Sequence, residues 1–220
     1  MPVRDTALAV QRRGRGRPLL LIHGGGEDSD MLADQAEGLA ASGFEVITYD
    51  RRGTGRSGRE NWPGGGADQH ADDAADLLRA LAVGPTIVVG VSSGGVIALA
   101  LAARHRELVD LVVAWEPPAA GIVPYGDAVT AEIMAPVLQY LDEHVDDFVG
   151  AQAILLSTIL GFPVAVDDPA FAAARANAEP MILDEPAITL ERFAPEALCG
   201  IRITIALGSA PLELISDAAR

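Results

Sequence analysis

The stretch Gly90-Val91-Ser92-Ser93-Gly94 decides the fold, because it places a serine between small residues at a predicted tight turn. A β-branched, apolar run at residues 86–89 precedes it, and an alanine-rich helical pattern at residues 94–103 follows it. A sharp turn from a strand into a helix forces its central residue into strained geometry, so the flanking residues must be small. The stretch therefore predicts a strand, a turn with Ser92 at its apex, and a helix.

The predicted position of Ser92 favours chemistry at its hydroxyl. A turn of this kind projects the side chain from the carboxyl edge of the sheet, where open α/β sheets bind their ligands. It also places the hydroxyl near a helix N-terminus, whose unpaired N–H groups stabilise developing negative charge. A nucleophilic serine is therefore favoured over the alternative, a glycine–serine turn without chemistry.

Apolar runs alternate with helical patterns from the N-terminus to about Pro118. An early strand at residues 6–11 is expected to end at an arginine–glycine turn. The spacing of the later elements is typical of βαβ units, so we expect an α/β fold with a mostly parallel sheet flanked by helices. These further strands are residues 19–22, 45–49, 86–89 and 111–115, and the helices are residues 30–41, 69–81 and 94–103.

The pattern changes at Pro117-Pro118, where the alternation of strands and helices stops. Residues 129–160 have the apolar spacing of two helices, and a loop containing Pro180, Pro186 and Pro195 follows them. A final strand at residues 201–207 and a helix from about residue 212 complete the pattern. We expect a core made of residues 1–118 and 196–220, with residues 119–195 as a helical cap insertion.

Two further motifs follow predicted strands. One is His23-Gly24-Gly25-Gly26, and the other is Tyr49-Asp50-Arg51-Arg52-Gly53-Thr54-Gly55-Arg56-Ser57. Together with the Ser92 turn, they stand in the order and on the elements where the α/β-hydrolase family carries them. The chain thus resembles that family over nearly its whole length, and the helical insertion stands where the family carries its cap.

The resemblance implies a role for each matched residue. Ser92 would be the nucleophile that attacks a carbonyl carbon. The backbone N–H groups of Ser93 and of Gly25 or Gly26 would form an oxyanion hole, with glycine allowing close approach of the substrate. Asp50 and Arg52 would tie down their own loop.

A catalytic histidine is not found where the family carries it, in a loop after the last strand. The histidines of this chain are His23, His70, His105 and His144. His23 supports its loop in the family motif, and we expect His70 and His105 to be surface or capping residues. His144 is expected on an acidic face of the insertion, where Asp142, Glu143, Asp146 and Asp147 form a solvated helix face rather than a metal site.

Glu116 is the predicted acid, because it follows the strand at residues 111–115 on the same sheet edge as Ser92. The resemblance supports this choice, since some family members carry their carboxylate there. At the commoner place, after the last strand of this chain, Pro211 occupies the position. The alternative is that Glu116 is a loop carboxylate paired with an arginine, and Glu213 is a weaker candidate for the acid.

The resemblance also implies that the family's last strand, histidine loop and terminal helix are missing, about forty to fifty residues by the usual size of such a unit. The strand at residues 201–207 would then lie at the edge of the sheet. Ile201, Ile203 and Ile205 would occupy that edge, so self-association of the chain into a homo-oligomer is expected there.

Composition excludes several classes of function. A net charge of −15 argues against a nucleic-acid partner, because such proteins need a basic face. Cys199, the single cysteine, cannot form an internal disulfide or, without clustered partners, a zinc site. The first residues lack a secretory pattern and glycines interrupt the apolar stretch at residues 87–103, so we expect a cytoplasmic protein without a membrane span.

We expect a serine hydrolase that cleaves a small ester, lactone or related acyl substrate through an acyl-Ser92 intermediate. Neither a metal nor an organic cofactor is required for this chemistry. One alternative is a binding or assembly module that has lost its base. The other is an acyltransferase, perhydrolase or lyase, since the same fold serves those reactions too.

Overall fold

A six-stranded sheet organises the protein in this computed structural model, which describes residues 1–194, 196–209 and 213–218. Its strands are β3 (Val10–Gly14), β4 (Arg17–Ile22), β5 (Phe44–Tyr49), β6 (Thr86–Val91), β7 (Val109–Trp115) and β8 (Ile203–Ala206). They lie in the order β3-β5-β4-β6-β7-β8, and β3 is antiparallel to its neighbour while the other pairs are parallel. The predicted, mostly parallel sheet is confirmed.

The predicted early strand at residues 6–11 is wrong in two respects: it is split in two, and its second part continues to Gly14, past the start of the expected arginine–glycine turn. A small hairpin of β1 (Pro2–Val3) and β2 (Thr6–Ala7) precedes β3. Ala9, between β2 and β3, forms hydrogen bonds with the loop after β5 instead of continuing a strand. Its N–H donates to Ser57 Oγ at 3.0 Å, and its carbonyl accepts from the Asp50 N–H at 2.9 Å.

Three helices cover the two faces of the sheet, as the sequence predicted. They are α1 (Ala33–Ala41), α2 (Gly66–Ala80) and α3 (Ser93–Arg104). Side chains of a strand point alternately to opposite faces, so Leu20 of β4 packs with α2 and α3 while Leu21 packs with Ala36 of α1. Both faces of the sheet are therefore apolar, as buried parallel strands require.

The segment between β7 and β8 is helical. It contains the predicted pair α4 (Gly126–Glu143) and α5 (Phe148–Leu160), followed by α6 (Ala178–Leu183) and α7 (Glu185–Thr189). The first three of these pack around a small core of their own, whereas α7 packs on α2 and α3. The predicted proline loop is thus wrong at Pro180 and Pro186, which lie in the first turns of α6 and α7, where a missing N–H costs no helical hydrogen bond.

β8 lies at the edge of the described sheet, beside β7. Ile203 and Ile205 are half-buried and pack against the main core. The groups of β8 that face outward at the sheet edge are therefore backbone groups rather than these side chains. Self-association through this edge stays a prediction. A final helix, α8 (Glu213–Ala218), follows the strand. None of the described helices is long and apolar enough to span a membrane.

The close contact between the end of β4 and the start of α3 predicts that one methyl group added at Gly94 strongly lowers the stability of the fold. A Cβ on Gly94 would lie 2.4 Å from the Ile22 carbonyl oxygen and 2.5 Å from that of His23. We expect Gly94→Ala to lower the free energy of unfolding in urea by about 2–3 kcal/mol, because the backbones cannot separate without breaking the turn.

Gly38→Ala is the matched control, since its Cβ would meet no atom within 4 Å in helix α1. There the same change should stabilise the protein by about 0.5–1 kcal/mol through the better helix propensity of alanine. A Gly94→Ala protein as stable as the native one would contradict the close contact.

Candidate active site

Ser92 occupies the apex of the predicted turn between β6 and α3. Its backbone has φ 52° and ψ −127°, a strained conformation for a residue with a side chain. Two backbone hydrogen bonds hold it: the Ser92 N–H donates to the Trp115 carbonyl at 2.8 Å, and its own carbonyl accepts from Gly95 at 2.8 Å. The predicted strand, turn and helix are confirmed.

Glycine is required on both sides of this turn. A Cβ on Gly90 would lie 2.1 Å from the Gly94 carbonyl oxygen, closer than any real contact. Gly94 in turn lies against the end of β4, and Gly24 of the following loop lies against Ser92, where its Cβ would be 3.1 Å from the serine Cβ. Three backbone segments therefore meet around Ser92.

Of the predicted oxyanion-hole residues, only Gly25 lines the cavity that Ser92 also lines. Gly25 lines the same cavity as Ser92, and Ser93 is fully buried at the first turn of α3. Gly26 is buried against the insertion, where its Cβ would touch Met181 Sδ at 3.0 Å and Gln152 Nε2 at 3.2 Å. Of the two glycines, Gly25 is the better placed to face a substrate, and the donor roles stay predictions.

An apolar cavity of about 180 Å³ opens above Ser92. Helices of the insertion supply most of its wall, and Glu185 is the one acidic side chain in the described lining. Such a site holds an apolar group and gives it few polar partners. The apolar lining from the insertion includes Ile133, Met134, Leu155, Ile159 and Met181.

Glu116 lies at the end of β7, on the predicted edge, and has φ 46°. Its Oε1 accepts a hydrogen bond from the Gly208 N–H at 2.8 Å, so the carboxylate joins β7 to the turn after β8. Among the described residues, neither an arginine nor a histidine forms a hydrogen bond or an ion pair with it. Its role as the acid stays a prediction, and the side chain of Glu213 lies outside the described residues.

The histidines contact groups other than Ser92. His23 is buried: its Nδ1 donates to the Gly24 carbonyl at 2.9 Å and its Nε2 accepts from the Arg51 N–H at 3.0 Å. Burial, together with the Arg51 charge, lowers the pKa of His23 well below its usual value, so the ring is neutral. His105 caps α3, and His144 is exposed and stacks on Tyr140.

A family model described as alpha/beta hydrolase fold matches residues 17–150, which contain β4 to α4, the Ser92 turn and both loop motifs. The chain belongs to the α/β-hydrolase family. YraK, an uncharacterized hydrolase of Bacillus subtilis, is 44% identical over 108 residues, which are 49% of this chain and 40% of YraK. The matched region is thus less than half of that relative.

Two solved structures show the same fold over almost the whole chain. An α/β hydrolase from Sphaerobacter thermophilus has a TM-score of 0.71 and 25% identity, and the match covers 100% of this chain and 85% of that one. A thermophilic esterase from Thermogutta terrifontis has a TM-score of 0.72 and 23% identity, with coverage of 98% and 81%. At that identity the second likeness concerns the fold alone.

A buried ion pair, which the sequence analysis missed, joins the segment between β7 and β8 to the core. Arg51 Nη2 donates to Glu185 Oε1 at 2.6 Å and to the Gly24 carbonyl at 3.2 Å, while Nη1 lies 3.4 Å from Ser93 Oγ. Burial alone would lower the pKa of Arg51, but the Glu185 carboxylate outweighs it and raises that pKa. Arg51 therefore stays charged beside Ser93.

The prediction that His70 is a surface or capping residue is wrong. His70 and Asp184 are 1% and 4% exposed, and His70 Nε2 lies 2.6 Å from Asp184 Oδ2. The same oxygen accepts from Trp62 Nε1 at 3.0 Å. His70 is on α2 and Asp184 is between α6 and α7, so the insertion covers the histidine, which the sequence pattern of α2 alone could not reveal.

Asp50 and Arg52, the two residues expected to tie down the loop after β5, make different sets of hydrogen bonds. Asp50 accepts from the N–H groups of Ser29 and Arg56 at 3.0 and 2.9 Å, so it ties down its own loop. Arg52 also ties down this loop, since its Nη1 donates to the Glu60 carbonyl, and it makes two further hydrogen bonds to Asp73 of α2 at 2.8 and 2.7 Å. No group of three potential metal ligands occurs among the residues that the structure describes.

The contact of Asp184 with His70 predicts a pH-dependent loss of stability. Burial would raise the pKa of Asp184, but the hydrogen bond and charge of His70 outweigh it and lower that pKa. Asp184 therefore stabilises the fold above the carboxyl's unfolded pKa of about 3.9, and this contribution disappears as the pH falls through the folded value.

We expect Asp184→Asn to lower the free energy of unfolding by about 1–3 kcal/mol at pH 7, with a smaller difference below about pH 4. Urea unfolding at both pH values measures it. Asp142→Asn, at an exposed position on α4, should change little at either pH. A loss at Asp184 that is equal at both pH values would contradict the lowered pKa of the Asp184 carboxyl.

Proposed function

We propose that the chain is a serine hydrolase that cleaves a small ester, lactone or related acyl substrate through an acyl-Ser92 intermediate. The observation that carries the proposal is the position of Ser92 at the strained apex, facing an apolar cavity beside Gly25. Family membership and the hydrolase relative YraK support the general class of reaction.

In the proposed reaction Ser92 Oγ attacks the acyl carbon and forms a tetrahedral intermediate. The backbone N–H groups of Ser93 and Gly25 donate to its oxyanion. The alcohol leaves, and water then releases the acid from Ser92. The apolar side chains of the insertion bind the acyl group.

Glu116 keeps its place in the proposal as the candidate acid. Its carboxylate is fixed by the Gly208 N–H on the sheet edge that carries Ser92, where a negative charge favours a protonated base during attack. The molecule that this site is proposed to bind is a small acyl substrate.

Covalent labelling tests the proposal. A fluorophosphonate should phosphonylate the native chain once, because an activated serine in an oxyanion hole attacks phosphorus as it attacks a carbonyl. Ser92→Ala should remain unlabelled by intact-mass spectrometry, and its hydrolysis of activated esters should fall by at least about 10³-fold. Ser42→Ala, at a serine next to helix α1, is the control and should label like the native chain.

A binding module is the second candidate. It is favoured by one observation: among the described residues, no histidine contacts Ser92. A native chain that binds apolar esters in the cavity but neither reacts with the fluorophosphonate nor hydrolyses them would establish this alternative and contradict the hydrolase proposal.

A further inference from the structure

Glu185 is the first residue of α7, and its carboxylate packs against the glycine that borders the cavity. A Cβ on Gly25 would lie 2.8 Å from both Cδ and Oε2 of Glu185, closer than real contacts allow. Glu185 and Gly25 line the same cavity as Ser92. An acyl group whose carbonyl oxygen meets the Gly25 N–H therefore lies beside this carboxylate.

The two oxygens of the Glu185 carboxylate have different surroundings. Oε1 accepts a hydrogen bond from Arg51 Nη2 at 2.6 Å, whereas Oε2 accepts none from the residues that the structure describes. The Glu185 side chain is 12% exposed and lines the cavity, so Oε2 is an acceptor without a donor at an otherwise apolar wall. A polar atom left unpaired in such surroundings costs free energy, and a ligand group that donates to it removes that cost.

Neighbouring contacts hold the Glu185 carboxylate in place. Asp184, the preceding residue, lies 2.6 Å from the buried His70, and Arg51 is itself buried and donates to the Gly24 carbonyl at 3.2 Å. The carboxylate thus has little freedom to turn away from an apolar ligand, as a surface side chain would. A site with fixed polar groups discriminates strongly against ligands that lack the matching group.

The charge of Arg51 decides which donor suits this acceptor. Its guanidinium lies 2.6 Å from Glu185 and offsets the negative charge beside Gly25. An ammonium group on the ligand would meet the repulsion of Arg51 together with the attraction of Glu185, whereas a neutral hydroxyl gains the hydrogen bond without that repulsion. The arrangement therefore favours a hydroxyl over an amine.

We propose that Glu185 is a specificity-determining residue, whose Oε2 accepts a hydrogen bond from a hydroxyl on the second or third carbon of the acyl chain. The substrate class is then a hydroxyacyl ester with an apolar tail, which the side chains of the insertion bind. This inference rests on the proposed function, because it places the acyl group beside Ser92 and Gly25.

Ester binding by the Ser92→Ala chain tests the inference without turnover. The probes are two pairs of hexanoic acid methyl esters, which carry on the second or on the third carbon either a hydroxyl or a methyl group of similar size. NMR titration gives the dissociation constant of each ester. In at least one pair the hydroxy ester should bind about 10- to 100-fold more tightly, because a hydrogen bond to a charged acceptor is a strong one.

Two further substitutions in the Ser92→Ala chain assign the preference to Glu185. Glu185→Gln keeps an oxygen for Arg51 but removes the negative charge, so the preference should fall at least about fivefold while the methyl ester binds within about threefold of its former constant. Glu132→Gln, at an exposed position on α4, is the matched control and should retain the full preference. An unfolded fraction weakens the apparent binding of both esters equally, so their ratio is insensitive to a loss of stability.

Equal binding of the hydroxy and methyl esters in both pairs overturns the inference, and so does a preference that Glu185→Gln retains. Tighter binding of the matching amino ester than of the hydroxy ester overturns the choice of a hydroxyl. Each of these results leaves the proposed function intact, because that function is tested by the labelling of Ser92. A hydroxy-ester preference in a chain that does not label supports the binding site and contradicts the proposed reaction.

Discussion

The site depends on the close approach of three backbone segments around Ser92. The end of β4, the turn after β6 and the first turn of α3 meet where Gly24, Gly90 and Gly94 have no side chains. This contact holds Ser92 at φ 52° through hydrogen bonds to β7 and within α3. Strain at such a position persists only when the surrounding structure fixes it, and here the whole parallel sheet does so.

A second layer of polar contacts fixes the insertion above that turn. Asp184 and Glu185 are adjacent in sequence and reach two parts of the core, His70 of α2 and Arg51 of the loop after β5. Both contacts are buried, so losing one partner would leave an uncompensated polar group. These two buried polar contacts therefore fix the position of the cavity wall next to Gly25.

The sequence predicted the elements of the core because each has a local pattern: short apolar runs for β4 to β7, and glycines around Ser92 for the turn. It could not predict contacts that join distant segments. His70 looked exposed because the residues that bury it come more than a hundred positions later. Pro180 and Pro186 suggested a loop although the first turn of a helix tolerates proline.

The central claim is that Ser92 carries the acyl group, and trapping that group tests it most directly. All sixteen basic residues are arginine, so no lysine amine competes for acylation. After rapid mixing with a nitrophenyl ester and an acid quench, one acyl group per chain should be found on the tryptic peptide of residues 80–104, with fragment ions assigning it to Ser92. Ester consumption with the acyl group on another peptide would contradict the account.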